Sequence, residues 1–142
     1  MQVTEFSLFL MVKHPEADLS ELARELSLPA KRVWKAGEPR MTPTGLPLSG
    51  TYSNSHCGME IRHAPDSSLT EAIEDFLDYL RPRRAVVDRL SNSGGRLDLM
   101  VYWYSPGNTG EEFPPALLRA LADMNIALGL DIYGDKPLGL CG

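Results

Sequence analysis

The sequence predicts a single α+β domain, a two-layer sandwich in which helices cover one face of a mixed, mainly antiparallel sheet of about five strands. Its length of 142 residues suits one core. With 43% hydrophobic and 23% charged residues, the chain has enough apolar material to close that core without disulfide or metal staples. Segments with an apolar period of 2 alternate along it with segments of period 3.6, the pattern of strands interleaved with helices. The domain is expected over residues 1–134, with 135–142 a short, glycine-containing tail.

The first strand is expected over 3–12. Phe6, Leu8, Leu10 and Val12 share one face and Phe9 and Met11 lie on the other, and apolar residues on both faces indicate a central strand. Residues 18–28 place Leu19, Leu22, Ala23 and Leu26 at helical spacing, Asp18 and Glu21 suggest a capping box, and Pro29 marks the exit. A short strand follows over 31–36. The stretch 37–50 holds three glycines and three prolines and reads as the longest loop. Over 51–63 a longer strand puts Cys57, Met59 and Ile61 on one side and His56, Gly58, Glu60 and Arg62 on the other.

The strongest helical pattern runs over 68–80, where Leu69, Ala72, Ile73, Phe76, Leu77 and Leu80 form one stripe. Ser68 and Glu71 make its capping box, and Pro82 is expected to stop it. A short helix over 83–90 precedes an Asn-Ser-Gly-Gly turn at 92–95. A second central strand over 97–104 sets Leu97, Leu99, Val101 and Trp103 against Met100, Tyr102 and Tyr104. Pro114-Pro115 opens a helix whose inner face is Leu117, Leu118 and Leu121. Asn125 can end it in a left-handed conformation, and Ile126, Leu128, Leu130 and Ile132 alternate along a last strand. The first six elements fit the split βαβ order of a ferredoxin-like arrangement.

Three stretches together resemble a family of small bacterial domains of unknown function. They are the run Pro29-Ala30-Lys31-Arg32-Val33-Trp34-Lys35-Ala36-Gly37-Glu38, the strand start Gly50-Thr51-Tyr52-Ser53, and the closing Leu130-Asp131-Ile132-Tyr133. The resemblance implies a bacterial, cytoplasmic, single-domain α+β protein, and it brings no activity, cofactor or catalytic residue.

A net charge of -5 repels a phosphate backbone over most of the surface, so no nucleic-acid partner is expected. The two cysteines, Cys57 and Cys141, have no framework spacing and read as reduced thiols. The first apolar stretch is far short of the roughly 20 residues that cross a bilayer and follows no basic run. A cytoplasmic location without a membrane partner is therefore expected.

Candidate chemistry is sparse. A nucleophilic Cys57 needs an imidazole within hydrogen-bond reach. His56 points to the opposite strand face, His63 is about 20 Å along the strand, and His14 sits on a distant segment. Cys57 accordingly reads as a core residue. The three histidines show no HxH, HExxH or CxxC-type spacing, so neither a metal nor a cofactor is expected. No phosphate-binding glycine motif or nucleophile-elbow serine is present.

Lys31, Arg32, Lys35 and Arg40 adjoin the 37–50 stretch and suit an anion or an acidic partner, although lysines also guard sheet edges. Trp34, opposite the lysines, reads as a core anchor. Arg81, Arg83, Arg84 and Arg89 read as counterions to the acidic helix before them. Tyr102, Tyr104 and Tyr133 form a partner surface if helices leave their face uncovered.

The leading expectation is a non-enzymatic module that binds a protein partner through a sheet face or the long loop. An antitoxin-like or immunity-type role is one form of it, with the acidic surface steering toward a basic toxin. The alternative is a small-ligand or anion-binding protein or enzyme, with Arg40, His56, Glu60 and Arg62 gathered between the 37–50 loop and the sheet.

Overall fold

A computed structural model describes residues 5–134; the predicted tail 135–142, with Cys141, lies outside the described residues. The order is β1 (Glu5–His14), α1 (Leu22–Leu26), β2 (Ala30–Trp34), β3 (Pro39–Met41), β4 (Pro47–Thr51), β5 (Ser55–Ile61), α2 (Leu69–Leu80), α3 (Arg84–Asn92), β6 (Arg96–Tyr104), α4 (Pro115–Asp123) and β7 (Ile126–Tyr133). Five strands form one sheet in the order β2-β5-β1-β6-β7. The first four are mutually antiparallel where they pair, which is the ferredoxin-like arrangement. The α4 crossover adds β7 parallel to β6.

One sheet face and the helices make the core. Leu8, Leu10 and Val12 of β1 lie beside Cys57 and Met59 of β5 and Leu97, Leu99 and Val101 of β6, all at most 1% exposed. Ile73, Phe76, Leu77 and Leu80 of α2 and Val87 of α3 close over them. The predicted stripe of α2 is buried, and its capping box is formed as expected between Ser68 and Glu71.

Several sequence expectations are corrected. The 37–50 stretch is not a structureless loop: β3 and β4 pair as an antiparallel hairpin inserted between β2 and β5. Its prolines open the short strands and its glycines punctuate them. At the tip, Gly45 takes a φ of +89°, Thr42 accepts its N–H, and Thr42 in turn donates to the Leu46 carbonyl. The expected 51–63 strand is split, because Thr51 closes the hairpin and β5 begins at Ser55. Helix α1 starts late because Asp18 accepts the Ser20 N–H in a local turn and leaves Glu21 as an N-cap without a side-chain bond. That backbone bond holds the Asp18 carboxyl below its usual range.

Pro82 does not isolate α2; it sits in a 3₁₀ turn, Arg81–Arg83, that leads straight into α3. Leu118 is 46% exposed, because Leu117 and Leu121 define the inner face of α4 and Leu118 lies off it. Trp34 is not a core anchor. Its partner in register is His56, on the face away from the helices, whereas neighbouring Val33 pairs with Cys57 on the helix side.

Candidate functional site

The sheet is wider than its helical layer, and this determines what the edges expose. Strand β2 is short and pairs with β5 across a register shift between Ala30 and Arg32. Beyond it the hairpin is fastened by a set of local bonds. Gly37 N–H donates to the Tyr52 carbonyl at 2.8 Å, and Tyr52 N–H donates to the Glu38 carbonyl at 3.0 Å. Trp34 Nε1 donates to the Asn54 carbonyl at 3.0 Å, and the Ala36 N–H donates to the Oγ of fully buried Ser55.

An aromatic stack completes the attachment. Trp34 stacks on His56 with centroids 4.2 Å apart and on Tyr52 at 4.4 Å. The Tyr52 hydroxyl accepts the Met41 N–H and donates to the Met41 carbonyl, both at 3.1 Å, so one side chain grips β3 through both backbone groups. Arg32 lies over the Trp34 ring at 4.7 Å and reaches the Met41 carbonyl at 3.4 Å. These residues frame a cleft of about 510 Å³ between β2 and the hairpin, lined among others by Lys31, Arg32, Trp34, Met41 and Tyr52.

The surface around the cleft is both apolar and basic. Val33, Met41, Leu46 and Leu48 are 40–63% exposed, and they are four of the seven large apolar side chains exposed among the described residues. Residues 30–51 hold Lys31, Arg32, Lys35 and Arg40 against the single acid Glu38, so this stretch is net +3 in a chain of net -5. Lys31 pairs with Glu60 at 3.1 Å. No ion pair engages Arg32, Lys35 or Arg40 among the described residues.

The four residues expected to share a ligand site lie apart. Arg40 donates to the Ser49 carbonyl across the hairpin at 3.3 Å. His56 is held in the aromatic stack, and its Nδ1 is buried without a hydrogen-bond partner. Burial first, then Lys13 and Arg32, push its pKa down, so the ring is neutral near pH 7. Glu60 and Arg62 line a different cleft of about 490 Å³ between the end of β5 and α2, with Phe76 and Tyr79. None of the four lines the cleft beside the hairpin. The grip of Tyr52 was not anticipated; the signal was an aromatic at each end of the Pro/Gly-rich stretch, Trp34 and Tyr52.

The tyrosine face is uncovered by helices, as its partner-surface reading required. Tyr102 and Tyr133 are half-buried on it, and Tyr104 is 9% exposed. Phe9 meets Tyr102 edge-on at 5.4 Å, and Tyr104 stacks on Tyr133 at 5.6 Å. Tyr133 donates to Asp131 at 2.8 Å, and this bond raises its phenol pKa.

The remaining titratable groups are occupied in packing. Cys57 is fully buried, and burial raises its thiol pKa away from the reactive thiolate. The His14 Nδ1 accepts the N–H groups of Glu16 and Ala17, and its Nε2 bonds Ser93 at 3.1 Å. His63 stacks on Phe6. The arginine group is tied to acids or stacked: Arg81 to Asp78, Arg84 to Asp88 and Asp123, Arg89 to Glu25, and Arg83 over Tyr79. Among the described residues no three His, Cys, Asp or Glu side chains gather as metal ligands, and no helix is long and apolar enough to cross a membrane.

Against known proteins, a family model described as a domain of unknown function (DUF4279) matches residues 4–135. No curated protein and no solved structure matches the chain.

Proposed function

The chain belongs to this family of domains of unknown function, and from that premise we propose that it is a cytoplasmic, non-enzymatic module that binds a protein partner on the edge formed by β2 and the β3–β4 hairpin. The carrying observation is the coincidence of exposed Val33, Met41, Leu46 and Leu48 with the unpaired cations Arg32, Lys35 and Arg40 around one cleft. An exposed apolar patch rimmed by polar residues marks an interaction site, and the cations select an acidic one. The partner this surface fits is therefore a segment carrying both carboxylates and apolar side chains. An immunity- or antitoxin-type role is the special case in which that partner is a toxin.

The test is affinity capture from native lysate with mass spectrometry, using the wild type and the double variant Arg40→Glu, Leu46→Asp. Both substituted side chains are exposed, so the fold should persist. A stoichiometric partner held by the wild type and lost by the variant supports the reading. Absence of any stoichiometric partner across growth conditions, or capture unchanged by the variant, contradicts it.

A second reading has its own observation: Arg32, already over Trp34, lines a cleft large enough for a small anion. Thermal shift with phosphate and dicarboxylates tests it, because a bound ligand raises the melting temperature by mass action. A shift abolished by Arg32→Gln favours the anion, and no shift with any probe sinks it.

A further inference from the structure

The opposite edge of the sheet leaves backbone and apolar side chains open together. Among the described residues, β6 is the strand that pairs with β7. The Tyr133 carbonyl accepts the Ser105 N–H at 2.8 Å, so Tyr133 turns its backbone groups toward β6. A residue's N–H and C=O leave a strand on the same side, and successive residues alternate. Ile126, Leu128, Leu130 and Ile132 therefore aim theirs outward. The same four residues point their side chains to the helix side, where exposure climbs from 5% at Ile126 to 45% at Leu130 and 61% at Ile132.

Protected edge strands carry lysines, prolines, bulges or short lengths. Strand β7 has none of these: it is eight residues long, keeps unbroken register with β6, and bears one charge, Asp131. We propose that β7 pairs antiparallel with β7 of a second copy of this chain, about a two-fold axis at Gly129, joining the two sheets into one.

Self-complementarity singles out the second copy. A two-fold interface requires that if residue i meets j, then j meets i. The axis at Gly129 sets Leu128 opposite Leu130 and Ile126 opposite Ile132, so all four outward-facing residues of each copy are paired. Their side chains form one apolar seam on the helix side. On the other side Asp131 falls opposite Ala127, and the strand's only charge never meets itself, which avoids the penalty of like charges directly opposed.

Sedimentation velocity under reducing conditions across a concentration series tests this, with hydrogen exchange as a second readout. The wild type should be a dimer, and Leu130→Lys with Ile132→Lys should be a folded monomer, because both side chains are already largely exposed. Leu46→Lys, at the opposite edge, should leave the dimer intact. The amides of Leu128, Leu130 and Ile132 should exchange slowly in the wild type and rapidly in the β7 variant, while Gly129 and Asp131 stay slow in both. A wild type that is monomeric at every concentration overturns the proposal, as does a dimer that survives the β7 substitutions or is lost with Leu46→Lys. The inference is independent of the hairpin reading, and either can fail alone.

Discussion

The two edges of the sheet face the same difficulty and meet it differently. Strand β2 is five residues long, breaks register at Ala30/Arg32 and carries Lys31 and Arg32. Strand β7 is eight residues long, regular, and neutral apart from Asp131. At β2 the exposed apolar side chains are mostly on an inserted hairpin held off the sheet by an aromatic stack. At β7 they lie on the strand itself. Irregularity and charge make β2 a poor template for another strand, so its edge is suited to recognition by side chains. Regularity and neutrality make β7 suited to backbone pairing. A sheet that outgrows its helical cover thus acquires two different kinds of surface, set by what each edge strand is made of.

The largest effect should come from what the edges share. Leu10 is fully buried at the centre of β1, and Leu10→Ala should cost about 2–5 kcal/mol in urea unfolding. It should lower the exchange protection of the hairpin and of β7 alike. Protection lost at only one edge would mean that they do not hang on one core.

Trp34→Ala should separate the edges. It removes two stacked contacts worth about 0.5–1.5 kcal/mol each, so a loss of about 1–3 kcal/mol is expected. Exchange should quicken at the amides of Gly45, Leu46 and Tyr52, whose acceptors lie within the hairpin and its base, and stay unchanged at Gly129. Tyr52→Phe keeps the ring and deletes only the hydroxyl that grips Met41. It should cost about 1 kcal/mol by the same unfolding measurement, the net worth of an ordinary hydrogen bond.

The smallest effect should be a pH dependence confined to the hairpin side. An unfolded histidine takes up a proton near pH 6.5, whereas His56 in the fold resists it because of burial, Lys13 and Arg32. Below pH 6.5 the unfolded state binds more protons, so stability should fall as pH drops through that value and level off below the depressed folded pKa. His56→Gln should flatten this part of the urea-midpoint profile. A profile unchanged by the substitution would assign the effect to another group.

Most of the architecture was legible because periodicity and caps are local signals. The stripe of α2 with its capping box, the alternation of β1 and β6, and the left-handed Asn125 after α4 all stand in the fold as the sequence indicates. The hairpin was not legible, because prolines and glycines signal turns whether or not short strands lie between them, and three residues of β3 carry no period. Trp34 was misread because alternation assigns a residue to a face without saying which face the helices cover. The ligand residues were grouped by sharing one strand, yet His56 and Glu60 stand four residues apart along it and belong to different surroundings.

The central claim is that the hairpin edge is where a partner docks. Hydrogen exchange on the complex recovered from lysate tests it most directly. The account predicts new protection at hairpin amides, including Gly45 and Leu46, with the odd-numbered amides of β7 unaffected. Protection confined to the tyrosine face or to the α2 side, with the hairpin exchanging as in the free protein, would contradict it.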